Sequence, residues 1–288
     1  MSSSALSSFP VSEIEVQRQL ARKKRNRKSQ LIAAISSLLI IGGLLAIVVL
    51  SPGFKTLRNT FFDWAYGVEV FPKVLLGFTT NILLTIIASI SVGVIALTIA
   101  LIRTSKSAAL APIRFLATAY VDIFRSIPLI LVILLVGFGV PALSIKGLTS
   151  NVLILGTIAV VITYSAYVAE VLRSGILSVH PSQKAAARTL GLNSSQTLRH
   201  VILPQAIKRV TPPLLNDLVA LIKDTGLVSI LGVTDAVRAA QIETSRTFNY
   251  SPYITAAVLF LCVTIPLTRY TDRMLRRSMD AQNAQGQA

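Results

Sequence analysis

From Leu75 to Ile102 the chain runs for 28 residues without a charged side chain. A helix needs about 20 apolar residues to cross a bilayer core of roughly 30 Å, so this run is long enough to span one. A second uncharged run, Leu31–Leu50, has the same property. Burying both would exhaust the interior of a soluble domain. The composition agrees: 53% of the residues are hydrophobic and only 14% charged, against about 25% charged for an ordinary soluble domain. The expectation is an all-α polytopic membrane protein.

Taken in order, the spans predicted are Leu31–Leu50, Leu75–Ile102, Ile127–Val140, Asn151–Leu172, Ile207–Ile222 and Tyr253–Leu267. The third is short and its start is placed one or two turns earlier, near Tyr120, with Pro128 just inside and Pro141 closing it. Leu227–Ile242 reads as a short helical or re-entrant piece. Residues 1–30 form a polar tail that turns basic at Ala21–Lys28, and 278–288 read as a disordered tail. Residues 51–74 form a mixed loop whose Trp64, Tyr66 and Phe71 suit a membrane–water interface. A basic segment followed by an apolar one also opens a signal peptide. Leu31–Leu50 is long for a signal core, however, and no small-residue cleavage site follows it, so it is read as a retained helix.

The net charge of +16 is explained by where the charges fall. Six spans put both termini and two internal segments on one side. That side collects seven basic residues in Arg18–Lys28, four in Arg103–Arg125 and four in Arg269–Arg277, besides Arg173, Lys184, Arg188, Arg199, Lys208 and Arg209. The other side holds Lys55, Arg58, Lys73, Lys146, Arg238 and Arg246. Basic residues mark the cytoplasmic side, so both termini and the central polar segment belong there. No nucleic-acid role is needed to explain the charge. The polybasic tail suits contact with anionic lipid. One cysteine, Cys262, and two histidines, His180 and His200, leave no disulfide framework or metal site. No P-loop, nucleophile–base set or carboxylate pair stands out, so no cofactor and no catalytic site are expected.

The central polar segment, Pro181–Pro204, reads PSQKAAARTLGLNSSQTLRHVILP. Gln183–Leu190 is rich in helix formers, Gly191 is a plausible C-terminal cap, and Asn193 stands three residues before Gln196, as in a capping box. The result is a basic helix, a glycine turn and a second short helix. Such a unit serves as a plain connector between spans, or, among soluble proteins, as a DNA-binding helix-turn-helix; apolar flanks on both sides disfavour the latter. The segment resembles the cytoplasmic "EAA" loop of ABC importer permeases. Ala186, Ala187, Gly191, Leu203 and Pro204 fall on that family's pattern, Val201 replaces its Ile, and Ala185 stands where it has Glu. The resemblance implies that the segment docks on an ATP-hydrolysing subunit, with the family's one anionic contact in doubt at Ala185.

Ionisable residues inside spans are costly and often functional. Glu170 and Arg173 are spaced to pair along one helix face. Asp217, Lys223 and Asp224 lie deeper. Asp224 is eleven residues beyond Pro213, about 16 Å along a helix and so near mid-membrane. Thr225-Gly226 then interrupts the helix, and the break would let Lys223 and Asp224 turn towards one cavity. Two readings stand: Tyr164, Asp217, Lys223 and Asp224 line a path for a zwitterionic solute, or Lys223 and Asp224 pair with each other and pin helices together. Ala166–Leu177, Leu218–Gly232 and Val121–Leu135 are similar to stretches of polar amino-acid permeases of the histidine/glutamine/glutamate branch. The resemblance covers roughly Leu76 to Arg277.

It implies one subunit of a binding-protein-dependent importer: a five-helix type I core (75–277) plus an extra N-terminal helix (31–50), in a bacterial inner membrane. The implied partners are cytosolic ATP-binding subunits, a second permease subunit (identical or a sister chain) and an extracytoplasmic solute-binding protein, with a polar amino acid as substrate. The alternative is a self-sufficient secondary transporter coupling protons through Glu170, Asp217 or Asp224. A membrane-embedded enzyme is disfavoured by the lack of a catalytic set.

Overall fold

A computed structural model describes residues 13–286. They divide into two compact units at Asn59/Thr60. The first contains α1 (Glu13–Leu50) and most of α2 (Phe54–Phe61). In α1 the basic stretch continues unbroken into the apolar one, and every side chain from Leu31 to Leu50 is exposed. An apolar helix of this kind is stable only in lipid or against a partner. Residues 1–12 of the basic tail lie outside the described residues.

The second unit begins with α3 (Trp64–Thr104). Residues 51–74, expected as a loop, are therefore largely helical. The Asp63 carboxylate caps α3 by accepting from the Tyr66 N–H at 3.1 Å. Forty-one residues make about 60 Å of helix, twice the hydrocarbon thickness. One end of α3 must extend beyond the bilayer, so its first turns carry Trp64, Tyr66, Glu69 and Lys73 where a loop was read.

A 3-10 turn at Ala108–Leu110 leads into α4 (Ala111–Ser126), and α5 (Leu129–Leu134) follows. The two meet at 106°, which overturns a continuous third span starting at Tyr120: that residue is on α4. Pro128 supplies the reason. It has no N–H and forces the residue before it out of the helical region, and Ile127 sits at φ −94°, ψ 131°. After α5 come a π turn (Leu135–Gly139) and the one-turn α6 (Val140–Ala142).

The long buried helix α7 (Val152–Ser178) is capped by Asn151. Then follow α8 (Pro181–Thr189), α9 (Ser194–Thr197), a π turn (Leu198–Ile202) and α10 (Leu203–Asp224). A 3-10 turn, Thr225–Leu231, ends at Gly232 and leads to α11 (Ala236–Thr247) and α12 (Ser251–Gly286). Helix α12 runs through most of 278–288, where disorder was expected; its Met, Arg, Ala and Gln residues are good helix formers. The described residues contain no strand, as the all-α expectation requires.

Four stretches are long and apolar enough to cross a membrane: Lys28–Leu50, Phe54–Thr104, Val152–Ser178 and Ser251–Arg276. Counting the bent α4–α5 pair makes five. The fifth expected span, Ile207–Ile222 on α10, has the length but its helix carries Lys208, Arg209, Asp217, Lys223 and Asp224, so six is approximate. The main core forms where α3 packs along α7, with Ala88, Val92 and Ala96 against Ala159, Val160 and Ala166. A second cluster joins α3, α11 and α12 through Val70, Val74, Phe78, Ala240 and Ala256.

Candidate transport site and coupling segment

Small residues let α3, α10 and α11 approach closely around one buried polar knot. Asn81, Thr225 and Asp235 are all fully buried. The Asn81 amide donates to Asp235 Oδ2 at 3.0 Å and to Thr225 Oγ1 at 3.2 Å, and its oxygen accepts from the Ala236 N–H at 3.0 Å. Asp235 in turn caps α11 by accepting from the Arg238 N–H at 2.8 Å. One side chain from α3 thus holds both the end of α10 and the start of α11. Gly77 makes room for this: a Cβ there would lie 2.5 Å from the Asp235 carbonyl oxygen. The sequence signal for this knot is Asn81, the one amide in the uncharged run Leu75–Ile102, whose partner Asp235 lies 154 residues further on.

The helix α10 remains regular through Asp224. Adjacent residues on a helix diverge by about 100°, and the chain does not relax that angle. Lys223 and Asp224 accordingly face different surroundings, which corrects the expectation that the break turns both towards one cavity. Asp224 accepts from the Tyr164 hydroxyl on α7 at 2.7 Å. Lys223 is exposed and forms no ion pair among the described residues. It lines a cavity of about 500 Å³ with Ile130, Gly226, Arg238, Gln241 and Tyr253, among others. Asp217 is half-buried and its Oδ2 has no hydrogen-bond partner among the described residues. Of the four pathway candidates, the structure joins Tyr164 to Asp224, places Asp217 within electrostatic reach of Tyr164 without a hydrogen bond to it, and leaves Lys223 apart. Next to them the Tyr167 hydroxyl donates to the Arg125 carbonyl at 3.1 Å, and the Arg125 guanidinium lies 6.0 Å from the Tyr167 ring.

Glu170 does pair with Arg173, at 2.5 Å, but it is also held by Arg103 at 2.6 Å. The second arginine comes from the last turn of α3 and is nearly buried. A carboxylate between two guanidiniums is a joint between α3 and α7. On α11, Glu243 plays the same part for Lys73 (2.9 Å) and Arg246 (3.2 Å).

The central segment folds as its residues direct. Gly191 has φ 82°, the left-handed region that glycine enters without a Cβ penalty. Around it the Gly191 N–H donates to the Arg188 carbonyl at 2.9 Å and the Leu192 N–H to the Ala187 carbonyl at 3.1 Å. This pair of bonds is a Schellman turn. Asn193 and Gln196 form the reciprocal capping box, each bond 2.9 Å. Ala185, Ala186 and Pro204 are exposed, Ala187 is buried, and Val201 and Leu203 are half-buried. Leu190 is 81% exposed on an otherwise polar segment. Arg209 ties α10 to the end of α7 by donating to the Ser178 carbonyl. Beneath lies a small core of Ala100, Ile176, Val179, Ile202 and Ala206.

Residues 107–279 match the family described as binding-protein-dependent transport system inner membrane component. Among its relatives, the probable glutamine ABC transporter permease GlnM of Bacillus subtilis is 36% identical over 206 residues, 70% of this chain and 93% of that protein. The crystal structure of an amino acid ABC transporter with histidines superposes with a TM-score of 0.67 at 33% identity, covering 75% of this chain and 98% of the other. The inward-facing MetNI methionine ABC transporter shares the fold, with a TM-score of 0.58 at 21% identity over 71% of this chain and 95% of that one. The family match spans the bent α4–α5 pair and the Gly191 turn, and the chain belongs to the binding-protein-dependent transport system inner membrane components.

Proposed function

We propose that the chain is the membrane-spanning permease subunit of an ATP-driven importer of polar amino acids. The observation that carries this reading is the superposition on an amino acid ABC transporter over 98% of that structure's chain. A permease of this kind is not an enzyme; ATP hydrolysis belongs to a separate subunit, and a solute-binding protein presents the substrate. The segment 181–204 is the docking site for the ATP-binding subunit. Exposed Ala185 and Ala186 offer a flat contact, and exposed Leu190 offers an apolar anchor. In place of the glutamate of related loops, Ala185 leaves the contact to packing. A second permease, identical or a sister chain, completes the path, which Tyr164, Asp217, Lys223 and Asp224 line. Both termini and the docking segment face the cytoplasm of a bacterial cell with the permease in its inner membrane, where the basic tail meets anionic lipid. Proton coupling by this chain alone has no observation in its favour.

The test is uptake of the twenty labelled amino acids into liposomes holding the chain with its ATP-binding subunits and binding protein. Uptake of at least one that needs ATP and survives a protonophore is expected. Uptake by the chain alone that a protonophore abolishes would reverse the reading. In a Cys262→Ala background, labelling of a cysteine at Ser194 by an impermeant reagent in intact cells would invert the orientation.

A further inference from the structure

The first turns of α3 and α12 leave between them an apolar groove of about 410 Å³, within the range of roughly 300–1,000 Å³ typical of small-molecule sites. Phe61, Phe62, Val68, Phe71, Ile254 and Val258 line it. One wall is fixed by Phe61, which stacks on Tyr250 with ring centroids 5.0 Å apart. The floor is low because Gly67 has no side chain. A Cβ there would meet only Thr255 Oγ1, at 3.4 Å, so helix packing does not itself demand this glycine, a residue that weakens a helix.

Depth and continuity say what fills the groove. Ser251, which opens α12 and lines the groove, stands 18 residues before Arg269, the first charged residue of that helix. That interval is about 27 Å of helix, close to the roughly 30 Å of a hydrocarbon core. The groove therefore lies where hydrocarbon meets headgroups, at the end of α12 away from Arg269. Its lining also continues into the apolar face of a spanning helix. Trp64, Val68, Phe71 and Leu75 are exposed at helical spacing on α3, and Leu83, Ile86 and Ile90 carry the same face deeper. A surface continuous with such a face is covered by an acyl chain.

The polar end of the groove selects the headgroup. Asp63 is the one charged residue in the lining, and it forms no ion pair among the described residues. Its carboxylate accepts from the Tyr66 N–H at 3.1 Å and from the Asn249 amide at 3.2 Å. These bonds hold it in place and leave further lone pairs free. We infer that the groove binds a phospholipid with a primary ammonium headgroup, of which phosphatidylethanolamine is the simplest. One acyl chain lies over Gly67 between α3 and α12, and the ammonium donates to Asp63. The lipid thus bridges the two helices that the Asp63 N–H already joins by donating to Ser251 Oγ at 2.9 Å. A primary ammonium has three N–H donors, as a lysine has. The choline of phosphatidylcholine has none, and phosphatidylglycerol brings only negative charge to a groove without a cation.

Trp64 is the chain's only tryptophan and lies in the lining, so its fluorescence reads the occupant. The full chain is reconstituted in liposomes of ethanolamine, choline and glycerol phospholipids at equal mole fraction. Each lipid in turn is brominated on the acyl carbons nearest the headgroup, because bromine quenches tryptophan on contact. The brominated ethanolamine lipid should quench about threefold more effectively than either of the others, the preference expected of one partly exposed ion pair. Asp63→Asn retains the cap of α3, since asparagine caps as well as aspartate, and should abolish the preference. Gly67→Leu fills the groove and should lower quenching by the ethanolamine lipid to the level of the choline lipid, with helix content by circular dichroism unchanged. Equal quenching by the ethanolamine and choline lipids in the wild type overturns the site. So does a preference that survives Asp63→Asn. Absence of quenching by all three lipids would mean that protein covers Trp64, and overturns it equally.

Discussion

Replacing Asn81 by leucine keeps the branched shape of the side chain, though with more bulk, and removes the amide that joins α3, α10 and α11. The structure shows which groups lose their partners. Thr225 keeps a bond to the Ile222 carbonyl at 2.7 Å. The Ala236 N–H, at the first turn of α11, loses its acceptor, and Asp235 Oδ2 loses its donor. Each buried group so stranded costs about 1–3 kcal/mol, which gives about 2–6 kcal/mol for Asn81→Leu. Asn81→Asp should be at least as damaging, because it sets a second carboxylate against Asp235 in a site without solvent. The exchange Asn81→Asp with Asp235→Asn restores the pattern: the new carboxylate accepts from the Ala236 N–H and from the amide at 235, whose oxygen still caps α11. SDS-induced unfolding in mixed micelles, followed by far-UV circular dichroism, reads these differences, and the wild type, Asn81→Asp, Asp235→Asn and the exchange form a double-mutant cycle. A loss under about 1 kcal/mol for Asn81→Leu, or an exchange no more stable than Asn81→Asp alone, would refute the view that this amide fixes the α10–α11 junction.

Two further outcomes follow from backbone geometry. Gly77→Ala drives a Cβ against the Asp235 carbonyl and the Ala236 nitrogen; backbone atoms must move, and the same unfolding assay should register about 1–3 kcal/mol of overpacking. Gly191→Val puts a β-branched residue at φ 82°, costing about 1–2 kcal/mol at the turn; substrate-stimulated ATP hydrolysis and uptake should fall while the purified chain stays folded, and normal values for both would reduce the segment to a connector.

The sequence was most legible where short-range chemistry decides. The glycine at the end of α8 and the Asn193–Gln196 box are local signals, and the structure contains both. The interruption after Asp224 was equally readable. What was not legible depended on partners distant in the chain. Glu170 offered Arg173 as an obvious mate, yet its second partner, Arg103, is 67 residues away. Asn81 meets Asp235 across 154 residues. The loop read over 51–74 failed for another reason: interfacial aromatics and charges describe the depth of a segment in the membrane, not its backbone, and α3 simply continues past the bilayer. Pro128 was noticed, but a proline permits either a kinked span or a sharp corner, and periodicity does not choose between them.

The placement of the central segment bears on how force would pass through this permease. Helix α8 is joined to α7 by only Val179 and His180, and both neighbouring helices are pinned below it. Val179 is buried with Ile176, Ile202, Ala206 and Ala100, so α7, α10 and the end of α3 meet in one packed cluster. Arg209 adds a bond from α10 to the last turn of α7, and Arg103–Glu170 a bond from α3 to α7. A displacement applied at α8 therefore cannot be absorbed locally by bending one helix end. Close-packed interiors transmit strain because they have little free volume, and the cluster would move α7 and α10 as a body. Those are the helices that carry Tyr164 and Asp224. Their hydrogen bond spans the α7–α10 contact, so any rotation of one helix against the other must break or lengthen it. The Tyr164–Asp224 bond is thus the point where motion at the proposed docking segment would reach the proposed substrate path.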